Sequence, residues 1–168
     1  MTNTATRRWE PVLEVLGTNP VQADEGDPDG FLRLERFLER AWPHLKETGV
    51  SWIGFYLDTP DDDLQELTLG PSRGGPACSP IGLHGACGKA FLENAPLVVR
   101  DVAELGADYI ACDPRDRSEL VVPIRGKNGL VGVLALDSHA IGAFDEQDAR
   151  WLQQALALAG LGDPPTAE

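Results

Sequence analysis

Residues 119–137 read ELVVPIRGKNGLVGVLALD, and this stretch sets the architecture of the chain. Two runs rich in Val, Leu and Ile, Glu119–Ile124 and Leu130–Asp137, are typical of buried strands. The Asn-Gly pair between them is a strong signal for a tight hairpin turn. We therefore expect an antiparallel pair of strands, with Glu119 and Asp137 close together at its open end.

The flanking sequence predicts a second hairpin, a short strand and four helices. Aromatic and β-branched residues at 50–58 predict a strand, which turns at 59–63 and returns over 64–70. A Gly/Pro-rich loop follows at 71–86, and 97–100 is a short strand. The first predicted helix is Arg8–Leu16. The second follows Asp29 and ends at Gly49, with Pro43 kinking or shortening it, and its apolar residues at helical spacing are Phe31, Leu34, Phe37, Leu38, Ala41 and Leu45. The third runs from about Gly85 to Glu93, and the last is capped by Asp145, with Ala149, Leu152, Leu156 and Ala159 on its inner face.

This order of elements predicts an α+β fold with a mainly antiparallel central sheet and helices packed on it, as one three-layer domain. A length of 168 residues also fits one domain. We divide the chain into an N-terminal short helix and acidic loop (1–28), the folded domain (29–161) and a disordered tail (162–168).

The net charge argues against two classes of binding partner. The formal net charge is −13, and an acidic surface repels both nucleic acid and anionic membranes. No run approaches the roughly 20 apolar residues that span a bilayer. The two early arginines are not followed by the apolar segment of a signal peptide, so we expect a cytoplasmic protein with reduced thiols.

All three cysteines lie in turn-like segments rather than in apolar runs. Cys78 lies in a Pro-rich loop whose expected mobility suits a resolving thiol. Cys87 lies at a helix start, where the helix dipole stabilises a thiolate, although quiet packing against the sheet is the alternative. Cys112 lies in the loop that enters the 119–137 hairpin. This arrangement indicates thiol redox chemistry, with either Cys78 or Cys87 as the partner of Cys112.

The open end of the hairpin offers a binding site beside the Cys112 thiol. Glu119 and Asp137 could hold a cationic group, and a carboxyl with a raised pKa could donate a proton. The alternative is that both are solvated strand-end residues. On the first strand, Trp52 and Tyr56 share one face and could line a pocket for a methyl or thioether group, whereas Phe55 points to the other face.

Zinc binding is the competing interpretation of the cysteines. Its ligands would be Cys78, His84, Cys87 and Cys112, but the spacing between the first three matches no standard zinc pattern and Cys-x2-Cys is absent from the sequence. His84 could otherwise respond to pH near Cys87, or be merely exposed. We expect no metal and no cofactor.

Several short segments resemble the free methionine-(R)-sulfoxide reductases, which are single GAF-domain enzymes. The similarity covers about residues 30–160, and the folded domain is thereby expected to be GAF-like. A GAF fold alone is a weak functional signal, so the cysteine motifs with Arg-Ser-Glu and Asp-Ser are the more specific features. The segments are SWIGFYL (51–57), LGP (69–71), GPAC (75–78), GACG (85–88), DV (101–102), IACD (110–113), RSELVVP (117–123), GVL (132–134) and LDS (136–138).

The resemblance implies reduction of free L-methionine-(R)-sulfoxide to L-methionine. Cys112 would attack the sulfoxide sulfur and become a sulfenic acid, which Cys78 would convert to a disulfide, with Cys87 assisting. Glu119 and Asp137 would hold the amino acid and its sulfoxide oxygen. Thioredoxin would restore the thiols. A homodimer is left open.

The aromatic face of the first strand also acquires a role from the resemblance. Trp52 would face the methyl-sulfoxide end of the substrate, and Tyr56 would join it in substrate binding.

The chain departs from the family pattern at three places near the expected site. Ala135 stands where a second acid is usual, two positions before Asp137. The interval from Cys78 to Cys87 is one residue short, and the loop before Cys112 is one residue long, with Tyr109 in place of a His. The second hypothesis is therefore a non-catalytic GAF module that binds small molecules or senses redox state.

Overall fold

The computed structural model describes residues 4–21, 26–27, 30–59, 65–127 and 129–167. Six strands form one sheet: β1 Val50–Asp58, β2 Glu66–Gly74, β3 Ile81–Gly82, β4 Leu97–Val99, β5 Ser118–Gly126 and β6 Gly129–Ser138. Their order across the sheet is β3-β2-β1-β6-β5-β4, and every neighbouring pair is antiparallel. The predicted α+β class with an antiparallel sheet is confirmed.

In the part of the chain that the structure describes, four α-helices pack on this sheet: α1 Thr4–Thr18, α2 Phe31–Leu45, α3 Ala86–Glu93 and α4 Glu146–Leu158. Two short 3₁₀ helices cover Lys46–Thr48 and Val102–Asp108. No helix in the described ranges is long and apolar enough to cross a membrane.

The hairpin predicted from residues 119–137 is confirmed as β5 and β6. Glu119 and Asp137 are direct Cα partners in its register, and Asp137 also pairs with Trp52 of β1. Asn128, on which the turn prediction partly rested, lies outside the described residues. The register places the two carboxyl side chains side by side at one end of the sheet.

The other boundaries mostly follow the sequence, with a few differences. Pro43 is accommodated inside α2, which runs to Leu45 and continues as a turn of 3₁₀ helix. Gly49 then ends it at φ 91°, a conformation that glycine adopts without a side-chain clash. Strand β2 extends to Gly74, four residues beyond its predicted end, while the predicted turn and Leu64 fall largely on residues 60–64, outside the described part.

The start of α4 is capped as predicted. The Asp145 carboxylate accepts a hydrogen bond from the backbone N–H of Asp148, and the Asp148 side chain accepts one from the N–H of Asp145. This reciprocal capping box satisfies two N–H groups that the helix itself cannot bond.

Two hydrophobic clusters lie on opposite faces of the sheet, which gives three layers. Helices α1, α2 and α4 cover one face, where Ile53 and Phe55 of β1 are fully buried. Helix α3 and the loops beside it cover the other face, to which Trp52 and Tyr56 belong. The alternation of side chains along β1 therefore follows the prediction.

The N-terminal helix shares the core of the domain and is longer than the predicted Arg8–Leu16. Arg8 is buried and its Nη1 donates to Oδ1 of Asp148 at 2.8 Å; Trp9 Nε1 donates to the same oxygen at 2.8 Å. Arg8 Nε also donates to Thr48 Oγ1 at 2.9 Å. These bonds tie α1 to the start of α4 and to the 3₁₀ helix that follows α2.

Candidate active site

A pocket opens on the α3 face of the sheet, at the end where Glu119 and Asp137 lie. It encloses about 510 Å³ including its open mouth. Its walls combine apolar side chains with two cysteines, two tyrosines and three acids, which is the composition of a site that binds a small polar molecule. The lining residues are Trp52, Tyr56, Pro76, Ala77, Ile81, Ala86, Cys87, Tyr109, Ile110, Cys112, Asp116, Glu119 and Asp137.

A disulfide joins Cys78 to Cys112 at this pocket, and the two Cα atoms are 5.4 Å apart. The bond connects the loop after β2 to the loop before β5. Both cysteines are half-buried. The Tyr56 hydroxyl donates to the backbone oxygen of Cys78 at 2.7 Å, which anchors the first loop to β1. The structure thus brings Cys78 and Cys112 together.

Cys87 is a free thiol in the first turn of α3 and faces the pocket floor. Its Sγ donates to Oε1 of Glu119 at 3.7 Å. Burial raises the pKa of Cys87, and the neighbouring charges of Glu119 and Asp137 raise it further. The thiolate expected from the helix start is therefore disfavoured, because desolvation and two carboxylates outweigh the helix dipole.

Glu119 and Asp137 form the floor of the pocket. Burial raises the pKa of Glu119 to about 7; the hydrogen bond from Cys87 opposes this shift and the charge of Asp116 adds to it. Burial also raises the pKa of Asp137 well above its usual value, with the charges of Glu119 and Asp116 acting in the same direction. Clustered acids of this kind retain protons near neutral pH.

An ion-pair network lies at the rim, next to Cys112. Arg115 binds both oxygens of Asp113, with Nε at 3.0 Å from Oδ1 and Nη2 at 2.9 Å from Oδ2, and this holds the pKa of Asp113 at about 2. His139 Nε2 lies 3.4 Å from Asp113 and 3.7 Å from Asp116.

Two groups of residues are candidate metal sites: the acids and histidine at the rim, and the cysteine set proposed from sequence. The ligand atoms of Asp113, Asp116 and His139 lie within 4.8 Å of one another, but Arg115 already occupies the Asp113 carboxylate, so the group fits an ion-pair network better than a cation site. The zinc set proposed from sequence fits poorly. Its Cys78 and Cys112 share a disulfide, and His84 is exposed and outside the pocket lining.

The aromatic wall of the pocket is made by Trp52 and Tyr56, whose ring centroids are 5.9 Å apart. The indole lies over Gly54, where an added Cβ would be 2.8 Å from Ser72 Cβ and would overlap the Trp52 ring. Glycine at this position therefore gives the indole its place on the sheet. The Trp52 Nε1 is buried and has no hydrogen-bond partner among the described residues.

Sequence reasoning missed one acid of the site. Asp116 is 6% exposed and lines the pocket, and Ser51 Oγ donates to its Oδ1 at 3.3 Å. The signal available was its position, three residues before Glu119 in the same loop as Cys112. Tyr109, noticed only as a departure from a family pattern, also lines the pocket. Burial and the charges of Asp116, Asp137, Glu119 and Asp113 raise the pKa of Tyr109 to about 12.

Comparisons of the sequence and of the fold with known proteins both find GAF-domain proteins. The family model for the GAF domain matches residues 33–162. The free methionine-R-sulfoxide reductase of Escherichia coli strain K12 is 40% identical over 112 residues, which cover 66% of this chain and 64% of that protein. The protein of the same name from Saccharomyces cerevisiae is 31% identical over 153 residues, which cover 89% of this chain and 84% of the yeast protein.

The chain thus spans slightly less than two thirds of the E. coli relative and most of the yeast one. Among solved structures, the free methionine-R-sulfoxide reductase of Neisseria meningitidis, in complex with its substrate, superposes with a TM-score of 0.76. It is 31% identical, and the match covers 95% of this chain and 90% of that one.

Proposed function

We propose that this chain, which belongs to the free methionine-R-sulfoxide reductase family of GAF-domain proteins, reduces free L-methionine-(R)-sulfoxide to L-methionine. The observation that carries the proposal is the Cys78–Cys112 disulfide at a pocket whose floor is formed by Glu119 and Asp137. A redox-active sulfur and a proton-holding acid pair in one cavity are the two requirements of sulfoxide reduction.

In the first step the Cys112 thiolate attacks the sulfoxide sulfur. The sulfoxide oxygen takes a proton from a carboxyl of the pocket floor, the bond from substrate sulfur to oxygen breaks, and the oxygen passes to Cys112. Cys112 is oxidised to a sulfenic acid, and the substrate sulfur is reduced to the thioether of methionine. The proton that the Cys112 thiol gave up replaces the one that the carboxyl donated.

In the second step the Cys78 thiol attacks the sulfenic acid. The sulfur–sulfur bond forms as the sulfur–oxygen bond breaks, and water leaves. The 5.4 Å between the two Cα atoms lies within the usual range for a disulfide, which supports Cys78 as the resolving residue. Cys87 is buried and donates a hydrogen bond to Glu119, and it assists by orienting that carboxyl group.

The amino acid is held by the remaining walls. Glu119 and Asp137 bind its ammonium group and its sulfoxide oxygen, and the faces of Trp52 and Tyr56 receive the methyl end. Because the acids line a small cavity that has little room for a peptide chain, we expect preference for the free amino acid over methionine sulfoxide within a peptide.

Regeneration needs a dithiol. Thioredoxin supplies it: its two thiols are oxidised to a disulfide as the Cys78–Cys112 bond is reduced. This cycle is suited to the cytoplasm, where such reductants keep thiols reduced. A homodimer of the chain is compatible with the cycle, and size-exclusion chromatography with light scattering tests it.

The decisive assay presents the purified protein with the R and S epimers of free methionine sulfoxide separately, with dithiothreitol as reductant and methionine as the measured product. We expect consumption of the R epimer by the wild type and its loss in Cys112→Ser. No methionine from the R epimer, or equal activity in Cys112→Ser, ends the proposal. Binding of either epimer without conversion favours the non-catalytic GAF module instead.

A further inference from the structure

A third carboxyl belongs to the pocket, although no motif marks it. Asp116 lines the cavity together with Glu119 and Asp137, and it is 6% exposed. The end of its loop is held beside β6, because the backbone N–H of Arg117 donates to the carbonyl of Ser138 at 2.8 Å. The loop that carries Cys112 therefore also contributes an acid to the lining of the pocket.

Asp116 is hydrogen-bonded to Asp137 through their side chains. Two carboxyl groups can share a hydrogen bond only when one of them holds a proton. Burial and neighbouring charges raise the pKa of both carboxyl groups, so the pair retains a proton between them. Asp116 also accepts a hydrogen bond from Ser51 Oγ at 3.3 Å, which favours its ionised form, makes it the acceptor of the pair and places the shared proton on Asp137.

The surroundings keep this arrangement in place. The opposing cation Arg115 is engaged by Asp113, and His139 approaches Asp116 from the exposed side at 3.7 Å. Glu119 adds negative charge from β5. The titratable or charged groups that face the Asp116–Asp137 pair are Asp113, Arg115, His139, Glu119, Cys87, Tyr56 and Tyr109.

We propose that Asp116 is a positioning residue for sulfoxide reduction: it accepts a hydrogen bond from Asp137 and so keeps on that carboxyl the proton that the sulfoxide oxygen takes. This inference rests on the proposed function and assigns the donor within it. Asp137 gives its proton to the oxygen when Cys112 attacks, and the thiol proton of Cys112 restores it. Asp116 stays ionised throughout and acts only through Asp137.

The test is the pH dependence of kcat/KM for the R epimer, with dithiothreitol, in wild type and Asp116→Asn. Removing the Asp116 charge lowers the pKa of Asp137, so the proton is lost at lower pH. We expect the alkaline limb of the kcat/KM profile of Asp116→Asn to lie about one pH unit below that of wild type. The two proteins should then have similar kcat/KM at pH values below both limbs, and the variant should be about tenfold less active at pH values above them. A limb that stays in place with uniformly scaled activity, or that moves towards higher pH, overturns the inference.

Glu104→Gln is the control, because Glu104 is an exposed acid outside the pocket lining, and its substitution removes one negative charge without touching the Asp116–Asp137 pair. It should leave the alkaline limb at its wild-type position. If Asp116→Asn fails to give the wild-type near-ultraviolet circular dichroism, Asp116→Ser, which keeps a partner for Ser51, takes its place.

A second readout separates this inference from the proposed function. The carboxyl ¹³C resonance of Asp137, titrated in labelled protein without substrate, should show a lower pKa in the Asp116 variant than in wild type. An unchanged titration refutes the pairing whether or not the protein turns over. If the wild type does not reduce the R epimer, the proposed function is refuted, but this titration still decides which carboxyl group holds the proton.

Discussion

The Cys87 thiol donates a hydrogen bond to Oε1 of Glu119, with 3.7 Å between sulfur and oxygen, so two buried titratable groups are directly paired on the floor of the pocket. The same two residues come from different elements, the first turn of α3 and the beginning of β5. Their contact ties the helix that covers the pocket to the sheet beneath it. It also shows why Cys87 is chemically unlike Cys78 and Cys112, which meet each other at the pocket wall.

The disulfide formed during turnover should be independent of Cys87. Because Cys87 is buried and protonated, Cys87→Ala should still form the Cys78–Cys112 bond after one equivalent of substrate, whereas Cys78→Ser should leave a sulfenic acid on Cys112. Peptide mapping without reduction, with dimedone as the sulfenic acid trap, distinguishes the products. A Cys87–Cys112 bond in wild type would contradict this assignment.

The stability of the protein should fall as the pH rises because of Glu119. Its pKa lies near 7 in the folded protein against an ordinary 4.5. Folding therefore favours the protonated form, and this stabilising contribution is complete below pH 4.5 and lost as the pH rises through 7. Glutamine has no carboxyl to ionise, so the free energy of unfolding of Glu119→Gln should rise relative to that of wild type as the pH increases from 4.5 to 8, by up to about 3 kcal/mol.

Urea denaturation at several pH values, with the disulfide kept in one redox state, measures this difference. Glu93→Gln is the control, since Glu93 is exposed at the end of α3, and it should follow wild type at every pH. A Glu119→Gln curve parallel to wild type across the same range would show that Glu119 is not held protonated.

The buried ion pair between Arg8 and Asp148 should matter far more than its exposed counterpart on the same helix. Asp148→Ala leaves the Arg8 guanidinium buried without its carboxylate and should lower the free energy of unfolding by about 3–5 kcal/mol. Glu146→Ala breaks only the exposed pair with Arg100 and should cost less than about 1 kcal/mol. Equal losses in the two variants, measured by urea denaturation, would argue against the anchoring of α1 by this network.

Gly54 should be needed for the aromatic wall of the pocket. An alanine Cβ would overlap the Trp52 indole and press on Ser72, so Gly54→Ala should displace the indole and raise KM for the R epimer by about tenfold or more. It should also destabilise the protein by roughly 1–3 kcal/mol. Gly17→Ala, where the added Cβ meets no atom within 4 Å, should instead stabilise α1 slightly and leave KM unchanged.

Much of the fold was predictable because its signals are local. Alternating side chains on β1, the pairing of β5 with β6 and the Asp145 cap depend on neighbouring residues, and their predictions are confirmed. Register follows from the hairpin, so the meeting of Glu119 and Asp137 could be inferred from counting residues back from the turn.

Other features depended on contacts between distant segments. The place of α1 in the core is fixed by contacts such as the bond from Arg8 to Asp148, 140 residues away in sequence. The pairing of Cys78 with Cys112 was open from spacing alone and is settled in the structure by the approach of two loops. The thiolate expected at Cys87 gave way to a protonated thiol because burial beside two acids, which helix position does not reveal, outweighed the dipole.

The amino-acid order by itself determined the strands, the main hairpin, the helix cap and the set of residues able to do redox chemistry, since each arises from side-chain period, turn chemistry or residue type. Only the tertiary structure decided which sulfurs meet, which thiol stays protonated, and that Asp116 joins the acids of the pocket. Those outcomes depend on desolvation and on distances between atoms, which are properties of the folded environment and not of any one segment.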